Sequence, residues 1–492
     1  MTTLTTEDSR LYVRLATHYR QAIRQGTLPP GARMPSVRGL MDLHQVSMST
    51  ALQACRWLES QGLLEARARA GYFVAEAGRA PPSQAPRLAP AHEPAAAAPV
   101  DAARYVGVHQ KVSSVLERAL RAQVRVNLSG AQAAPELYPL ERLRQSSQRV
   151  LRQHAIRLVT PPPPGGEPAL RSALARQALE HQLNLRADEI VITHGCTESL
   201  TLALRAVTQP GDVVAVESPT YYGLLQILES LSLQALEIPT SPHTGISLPA
   251  LQEAAARTPG LKAVAVIPNL QNPLGAVMPD AAKQALLTWC ETQDLALIED
   301  DTYTALYEGP GTLRPIKSFD RSGQVILCSS LHKVLAPGMR LGWMTGGRWQ
   351  QRLEMLKYSQ SRPNEAMAQL AVADFFNAGH MARHLRGMRA RLAQQREQMA
   401  EALARHLPRE SRMSVPSGGL NLWVELPEGC SSEALFEAAL AQGIRLAPGA
   451  MFSNSMRYDR FLRINCGLPF DEPVREAVLC LGRLLQPKSL YL

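Results

Sequence analysis

The sequence predicts two folded parts of different class: a small α+β domain of three helices and a hairpin, and a large α/β domain ending in a smaller subdomain. Three observations carry this. The chain has 492 residues, more than one ordinary domain of roughly 100–200 residues takes up. Residues 79–99, RAPPSQAPRLAPAHEPAAAAP, are dominated by Pro and Ala and have neither helical nor strand periodicity. The pattern also changes across that run, from helical stripes before it to short apolar strands alternating with helical stretches after about residue 123, as in a parallel sheet flanked by helices. The expected boundaries are 1–78 for the small domain, 79–122 for a Pro/Ala-rich linker and 123–492 for the large domain.

In the small domain, Tyr12, Leu15, Ala16, Tyr19 and Ile23 recur at helical spacing, and Gly26 follows as a stop. Ser36 is placed to cap a second helix running to about residue 43, and Ser47 a third, on which Ala51, Ala54, Cys55 and Leu58 share a face before Gly62. Two short strands, around 63–67 and 72–74, are joined by a basic turn. In the linker, Pro favours an extended, semi-stiff spacer that buries too little apolar surface to pack. In the large domain, strands are expected at 189–193, 213–217, 264–268, 295–299 and 325–328, and short ones near 420–424 and 461–465 in the C-terminal subdomain.

Composition sets outer limits. Hydrophobic residues make up 45% and charged residues 19%, ordinary for a soluble globular protein. The seven cysteines have no CxxC spacing, which argues against a disulfide framework or a zinc site and for a reducing, cytoplasmic setting; no metal is expected. The N-terminus has no apolar signal core, and no apolar run approaches the ~18 residues that span a bilayer. The net charge of +9 is compatible with nucleic-acid binding without requiring it.

A helix-turn-helix needs a short helix, a tight turn and a further helix with small polar side chains at its start, where they and the positive helix end meet phosphates and base edges. The stretch 35–64 supplies this: Ser36 and Arg38 on the second helix, Ser47, Ser49 and Thr50 at the start of the third, and Arg67 and Arg69 on the hairpin. Over 1–75, nine arginines face five acids. Read alone, the pattern also suits a small helical interaction module with capping serines. The run from Leu11 to Val74 resembles the winged helix of GntR-type regulators, in register over IxxGxLxPGxxxPSxR (Ile23, Gly26, Leu28, Pro30, Gly31, Pro35, Ser36, Arg38) and LExxGLLExRxxxGYFV. Met48 stands where many such proteins have an Arg able to read guanine.

The second half carries motifs that are individually weak. In SSLHKVLAPGMRLG (329–342), Lys333 could hold a cofactor aldehyde, with Ser330 three before and Arg340 seven after it suited to phosphate; an isolated SxxK is more often a surface lysine. In IEDDTY, Asp300 ends an apolar strand and could pair with a ring nitrogen or cap a helix, and Tyr303 follows. Asn272 in PNLQNPLG could bond a ring oxygen or shape a turn. Cys196 and Thr197 in THGCTE open a helix after Gly195, a natural phosphate site. Tyr221 could stack on a ring or sit in the core, and Arg463 in FLRIN needs an anionic partner, from a ligand or from within.

In this order the motifs resemble the fold-type I aminotransferases, from about residue 123 to 485. The resemblance implies pyridoxal 5'-phosphate as cofactor, bonded to Lys333. It implies Asp300 at the pyridine nitrogen, Tyr303 and Asn272 at the ring O3′, and Tyr221 on the ring face. Ser330, Arg340 and the backbone at Cys196 and Thr197 would hold phosphate, and Arg463 a ligand carboxylate. Two departures stand out. The run Thr160 to Pro164 lacks the tyrosine that relatives carry before the GxPxLR stretch, here Gly166 to Arg171, and His332 replaces a common serine. A GntR-type winged helix followed by such a domain is similar to the MocR-type regulators. That likeness implies a transcriptional regulator that binds a double-stranded DNA operator, senses pyridoxal 5'-phosphate or a small amine or amino acid, and forms a homodimer, commonly head-to-tail. A working aminotransferase is the alternative.

Overall fold

The computed structural model describes residues 11–24, 27–29, 31–60, 63–67, 71–74, 86–92 and 100–486. The chain divides into two compact units, 1–87 and 88–492.

In the first unit, helices α1 (Leu11–Arg24), α2 (Val37–His44) and α3 (Met48–Ser60) precede an antiparallel hairpin of β1 (Leu64–Arg67) and β2 (Gly71–Val74). The helical stripes close on one core: Leu15, Ala16 and Tyr19 of α1 meet Leu40, Ala51, Ala54, Cys55 and Leu58, with Leu64 and Val74 beneath. Ser36 caps α2, its Oγ accepting the Gly39 N–H at 3.0 Å. Ser47 does the same for α3, accepting the Thr50 N–H at 3.2 Å. The turn before α3 is made by Gln45, in the left-handed region at φ +52. One feature was not read from sequence: residues 31–34 lie along β2 as a third extended segment, with Val74 N–H bonded to Ala32 O at 2.8 Å and Met34 N–H to Tyr72 O at 2.9 Å. Gly26, Pro30, Gly62 and Arg69 lie outside the described residues.

The second unit is built on a sheet of nine strands among the described residues. Its centre is parallel. The strands Gln234–Ser241, Val213–Ser218, Leu261–Val266, Ala296–Asp300 and Val325–Ser330 lie side by side, all pointing the same way. Gly342–Thr345 then runs antiparallel, and Val191–Thr193 pairs with it. Val213–Ser218, Ala296–Asp300 and Val325–Ser330 are buried along their whole length, which explains why they read as continuous apolar runs and not as alternation. A smaller antiparallel sheet, ordered Arg412–Ser414, Asn421–Glu425, Phe461–Asn465 and Ala447–Pro448, forms the C-terminal subdomain with helices Ser432–Ala441 and Glu472–Leu484.

The structure ends the expected linker well before residue 122. Residues 88–92 lie on the C-terminal sheet, and His109–Arg121 is a helix, α4, whose Val112, Val115 and Ala119 are buried in the main core. Those three positions are spaced for one helical face; the Pro/Ala bias of 79–99 obscured where packing resumes. Among the described residues, no helix is long and apolar enough to cross a membrane.

Candidate functional site

Parallel sheets expose their strand ends to ligands at the carboxyl edge. Here that edge carries Asp300 at the end of its strand and Ser330 at the end of the neighbouring one. The chain then turns from Ser330 through Lys333 to Arg340, which sits in the left-handed region at φ +51 before Gly342 re-enters the sheet. Gly195, at φ +95, opens the helix Cys196–Val207 beside it. A Cβ on Gly195 would stand 3.3 Å from Arg340 Nη2, and one on Gly342 only 2.6 Å from the Gly195 Cα. Two glycines thus let a helix N-terminus, a serine and a guanidinium converge.

Lys333, Asp300, Tyr303, Asn272, Tyr221, Cys196, Thr197, Ser330, Arg340 and Arg463 all line one pocket of about 150 Å³. Sequence reasoning missed Tyr222 and Thr302, which line it too. Each sits beside a residue that was singled out, and nothing in its spacing marked it. Tyr222 packs against Tyr221, ring centroids 5.3 Å apart.

Asp300 is buried, and three donors meet at its Oδ1: Thr302 N–H at 3.1 Å, Thr302 Oγ1 at 2.5 Å and the Cys196 thiol at 3.2 Å. Among the described residues nothing bonds Oδ2, and the carboxylate borders the pocket. Burial pushes its pKa above the usual carboxylate value, against the pull of Thr302, Cys196 and Lys333. Lys333 moves the other way. Burial, then the charge of Arg463, lowers its ammonium from 10.5 to about 8, partly offset by Asp300. Burial likewise raises the Tyr303 and Tyr221 hydroxyls. His332 is lowered to about 4 by burial and by the cations Lys333 and Arg340; its neutral ring fits the Arg340 Nη1 donor 3.2 Å from Nδ1.

Arg463 enters from the C-terminal sheet. It is 1% exposed. Nη1 donates to Asn272 Oδ1 at 3.0 Å and Nη2 to Ser129 O at 2.6 Å, while Nε has no partner. Among the described residues no carboxylate pairs with it. Burying an uncompensated guanidinium is costly, so this arrangement is one that an anionic ligand completes. Asn272 also reaches Tyr303, Nδ2 lying 3.4 Å from the hydroxyl.

The donor set fits pyridoxal 5'-phosphate. A free carboxylate oxygen on Asp300 suits a ring nitrogen, and the Asn272–Tyr303 pair suits a ring oxygen. The Gly195 cradle with Ser330 and Arg340 suits a phosphate.

In the first unit, Ser36, Arg38, Ser47, Met48 and Ser49 are exposed and Thr50 is half-buried. Ser47 Oγ is 2.9 Å from both Ser49 Oγ and Thr50 Oγ1, so the three hydroxyls form one cluster at the start of α3. Arg67 ends β1.

Residues 11–74 match the family model of the bacterial regulatory proteins of the gntR family, and residues 127–478 that of aminotransferase class I and II. The uncharacterized HTH-type transcriptional regulator YjiR of Escherichia coli is 38% identical, covering 96% of this chain and 98% of its own length. A second from the same organism, YdcR, is 36% identical over 97% and 99%. Among solved structures, the alpha-aminoadipate aminotransferase of Thermus thermophilus, complexed with N-(5'-phosphopyridoxyl)-L-leucine, superposes with a TM-score of 0.70 at 29% identity, over 75% of this chain and 94% of its own. The kynurenine aminotransferase of Pyrococcus horikoshii gives 0.71 at 26%, over 77% and 94%. The two enzymes cover 75% and 77% of this chain, whereas the two regulators cover 96% and 97% of it. The chain therefore belongs to the GntR transcriptional regulators of MocR type, in which a winged helix-turn-helix is joined to an aminotransferase-like domain.

Proposed function

We propose that this regulator binds pyridoxal 5'-phosphate in the pocket of its large unit and there senses an amino acid or related amine, whose capture changes its hold on an operator in double-stranded DNA. The buried Arg463, with no carboxylate partner among the described residues, carries this reading. It lies in the same pocket as Lys333, so a molecule with both an amino and a carboxylate group answers to both ends. Bound pyridoxal 5'-phosphate would supply an aldehyde that takes up amino groups and a ring that draws electrons from them. Lys333, lowered to about 8, offers an amine of which roughly a tenth is uncharged at neutral pH, far more than an ordinary lysine provides. Asp300 holds the ring nitrogen, Asn272 and Tyr303 the ring oxygen, Tyr221 the ring face, and Ser330, Arg340, Cys196 and Thr197 the phosphate. Ser36, Arg38, Ser47, Ser49, Thr50, Arg67 and Arg69 contact DNA. The active form is a cytoplasmic homodimer, head-to-tail as in the family it belongs to; the exposed Ile156, Leu158 and Val159 support an interface between copies.

The test uses the full chain. After incubation with pyridoxal 5'-phosphate and borohydride, wild type should keep the cofactor covalently and Lys333→Ala should not. Operator fragments should then be bound with an affinity that changes when amino acids are added. Equal labelling of Lys333→Ala, or DNA binding indifferent to every amino compound, sinks the reading.

A working transaminase remains the second reading, favoured by the set of Lys333, Asp300, Tyr303 and Arg463 in one pocket and by 30% identity to the 2-aminoadipate transaminase of Thermus thermophilus. It requires many turnovers of amino donor with a keto acid; a single half-reaction is not enough.

A further inference from the structure

The stretch 88–92 is not idle spacer. Ala89 bridges to Arg412 at the edge of the C-terminal sheet, accepting the Met413 N–H at 2.8 Å, and Arg412 Nη1 reaches Pro90 O at 3.5 Å. Ala91 is buried in the core and Leu88 packs against it. His92 ends the segment on Glu425. Its backbone N–H lies 2.8 Å from Oε2 and its Nδ1 2.8 Å from Oε1. Glu425 is 2% exposed and is also held by Arg460 at 2.6 Å.

Glu425 and Arg463 belong to paired strands of that sheet. Trp423 stands opposite Arg463, and Glu425 opposite Phe461, at the end of the same ladder. Between them the Trp423 ring stacks on Phe461, centroids 5.3 Å apart, and Phe452 touches both Trp423 and the Arg463 guanidinium. A tightly packed aromatic layer moves as a body. From residue 100 the described chain packs on the large sheet, with Val100 and Ala103 against its core and Arg104–Tyr105 paired with Gln234–Ser241. Covalent continuity therefore ties the stretch anchored on the C-terminal sheet to the one anchored on the large sheet. A ligand joining Arg463 to Lys333 braces the same two bodies. Two braces across one joint are energetically coupled, and the coupling is reciprocal.

We propose that residues 88–92 form a strap whose hold on the C-terminal sheet is set by the ligand at Arg463, so that pocket occupancy is passed to the chain leading back to the DNA-binding unit. This rests on the reading of the pocket as a ligand site. It requires no contact between the two units, because the strap is the covalent path from one to the other.

The probe is N-(5'-phosphopyridoxyl)-L-leucine, which carries phosphate, ring and carboxylate in one stable molecule and asks for no chemistry. Its affinity for the full chain is measured by calorimetry in wild type and in His92→Ala, which leaves Glu425 paired to Arg460. Hydrogen exchange of the His92 and Met413 amides is followed in wild type, free and bound, so the test does not depend on the variant folding. Binding should change that exchange, and His92→Ala should shift the dissociation constant, each by about fivefold or more. Tight binding with unchanged exchange, or an affinity in His92→Ala within about twofold of wild type, overturns the strap and leaves the pocket standing. Failure of wild type to bind the probe removes the pocket reading and the strap with it.

Discussion

Arg463 reaches from the C-terminal sheet to Asn272, its Nη1 donating to Oδ1 at 3.0 Å. Asn272 in turn lies 3.4 Å from the Tyr303 hydroxyl. The residue offered to a ligand carboxylate is thus hydrogen-bonded to the pair offered to the ring oxygen. Arg463→Ala should therefore leave covalent retention of the cofactor at Lys333 intact and weaken amino-acid binding. Charge-assisted hydrogen bonds of about 1.5–3 kcal/mol correspond to roughly 10- to 150-fold in the dissociation constant. Amines without a carboxylate should bind the variant and wild type alike. Spectral titration of both classes decides it, and an equal loss for both would mean that Arg463 only supports the pocket.

Lys333 reacts with an aldehyde only as the free amine. Burial and Arg463 disfavour its charged form and bring it to about 8. The rate of covalent cofactor capture should therefore rise with pH through about 8 and then level, where an exposed lysine would go on gaining to about 10.4. Arg463→Gln removes a neighbouring positive charge, so its midpoint should move up. Asp300→Asn removes a negative one and should move the midpoint down. Rapid-mixing measurements across this range test the order, and a wild-type midpoint near 10 contradicts it.

Gly195 holds φ +95 and ψ 174 at the mouth of the helix Cys196–Val207. Only glycine takes that region without roughly 1–3 kcal/mol of strain. Alanine there would also press on Arg340, whose Nη2 donates to His194 O at 3.2 Å. Gly195→Ala should raise the cofactor's dissociation constant about tenfold, in keeping with that strain. Gly379, at φ +70 with open space around its Cβ position, supplies the control. Gly379→Ala should lower thermal stability and leave cofactor affinity unchanged. Equal effects on affinity would show that the glycine at 195 serves folding alone.

Much of the site was legible because its residues sit where chain direction dictates them. Asp300 and Ser330 end neighbouring parallel strands, so an apolar run followed by a polar residue already locates the pocket edge. Ser36 and Ser47 were legible as caps because capping is a local bond three residues long. What escaped was set by distant partners. The Pro/Ala bias of 79–99 indicates extended chain, but not that Ala89 meets Arg412, or His92 meets Glu425, more than 300 residues away. The extended segment at 31–34 depends on β2 as its template, and a four-residue stretch with Gly and Pro nearby has no strand period of its own. Arg463 could be flagged as an odd charge in an apolar strand, whereas its lack of a carboxylate partner among the described residues is a fact about the packed pocket.

The serines of the small unit have two separable duties, and Arg38 tells them apart. Ser47 Oγ accepts the Thr50 N–H at 3.2 Å and joins the Ser49 and Thr50 hydroxyls, so it builds the helix that would enter the groove. Ser47→Ala should cost about 1 kcal/mol as a lost cap, seen as faster hydrogen exchange of the α3 amides in the full chain, with weaker DNA binding as a consequence. Arg38 is exposed on α2, one position past its first residue. Arg38→Ala should leave that exchange unchanged and weaken binding to operator and unrelated duplex alike. If Arg38 neutralises one phosphate, the slope of log affinity against log salt should fall in magnitude by about 1. Should the slope stay unchanged while only operator affinity falls, Arg38 would be reading a base. Should neither change, the contact of Arg38 with DNA would be wrong and the wing arginines would have to carry the phosphate contacts.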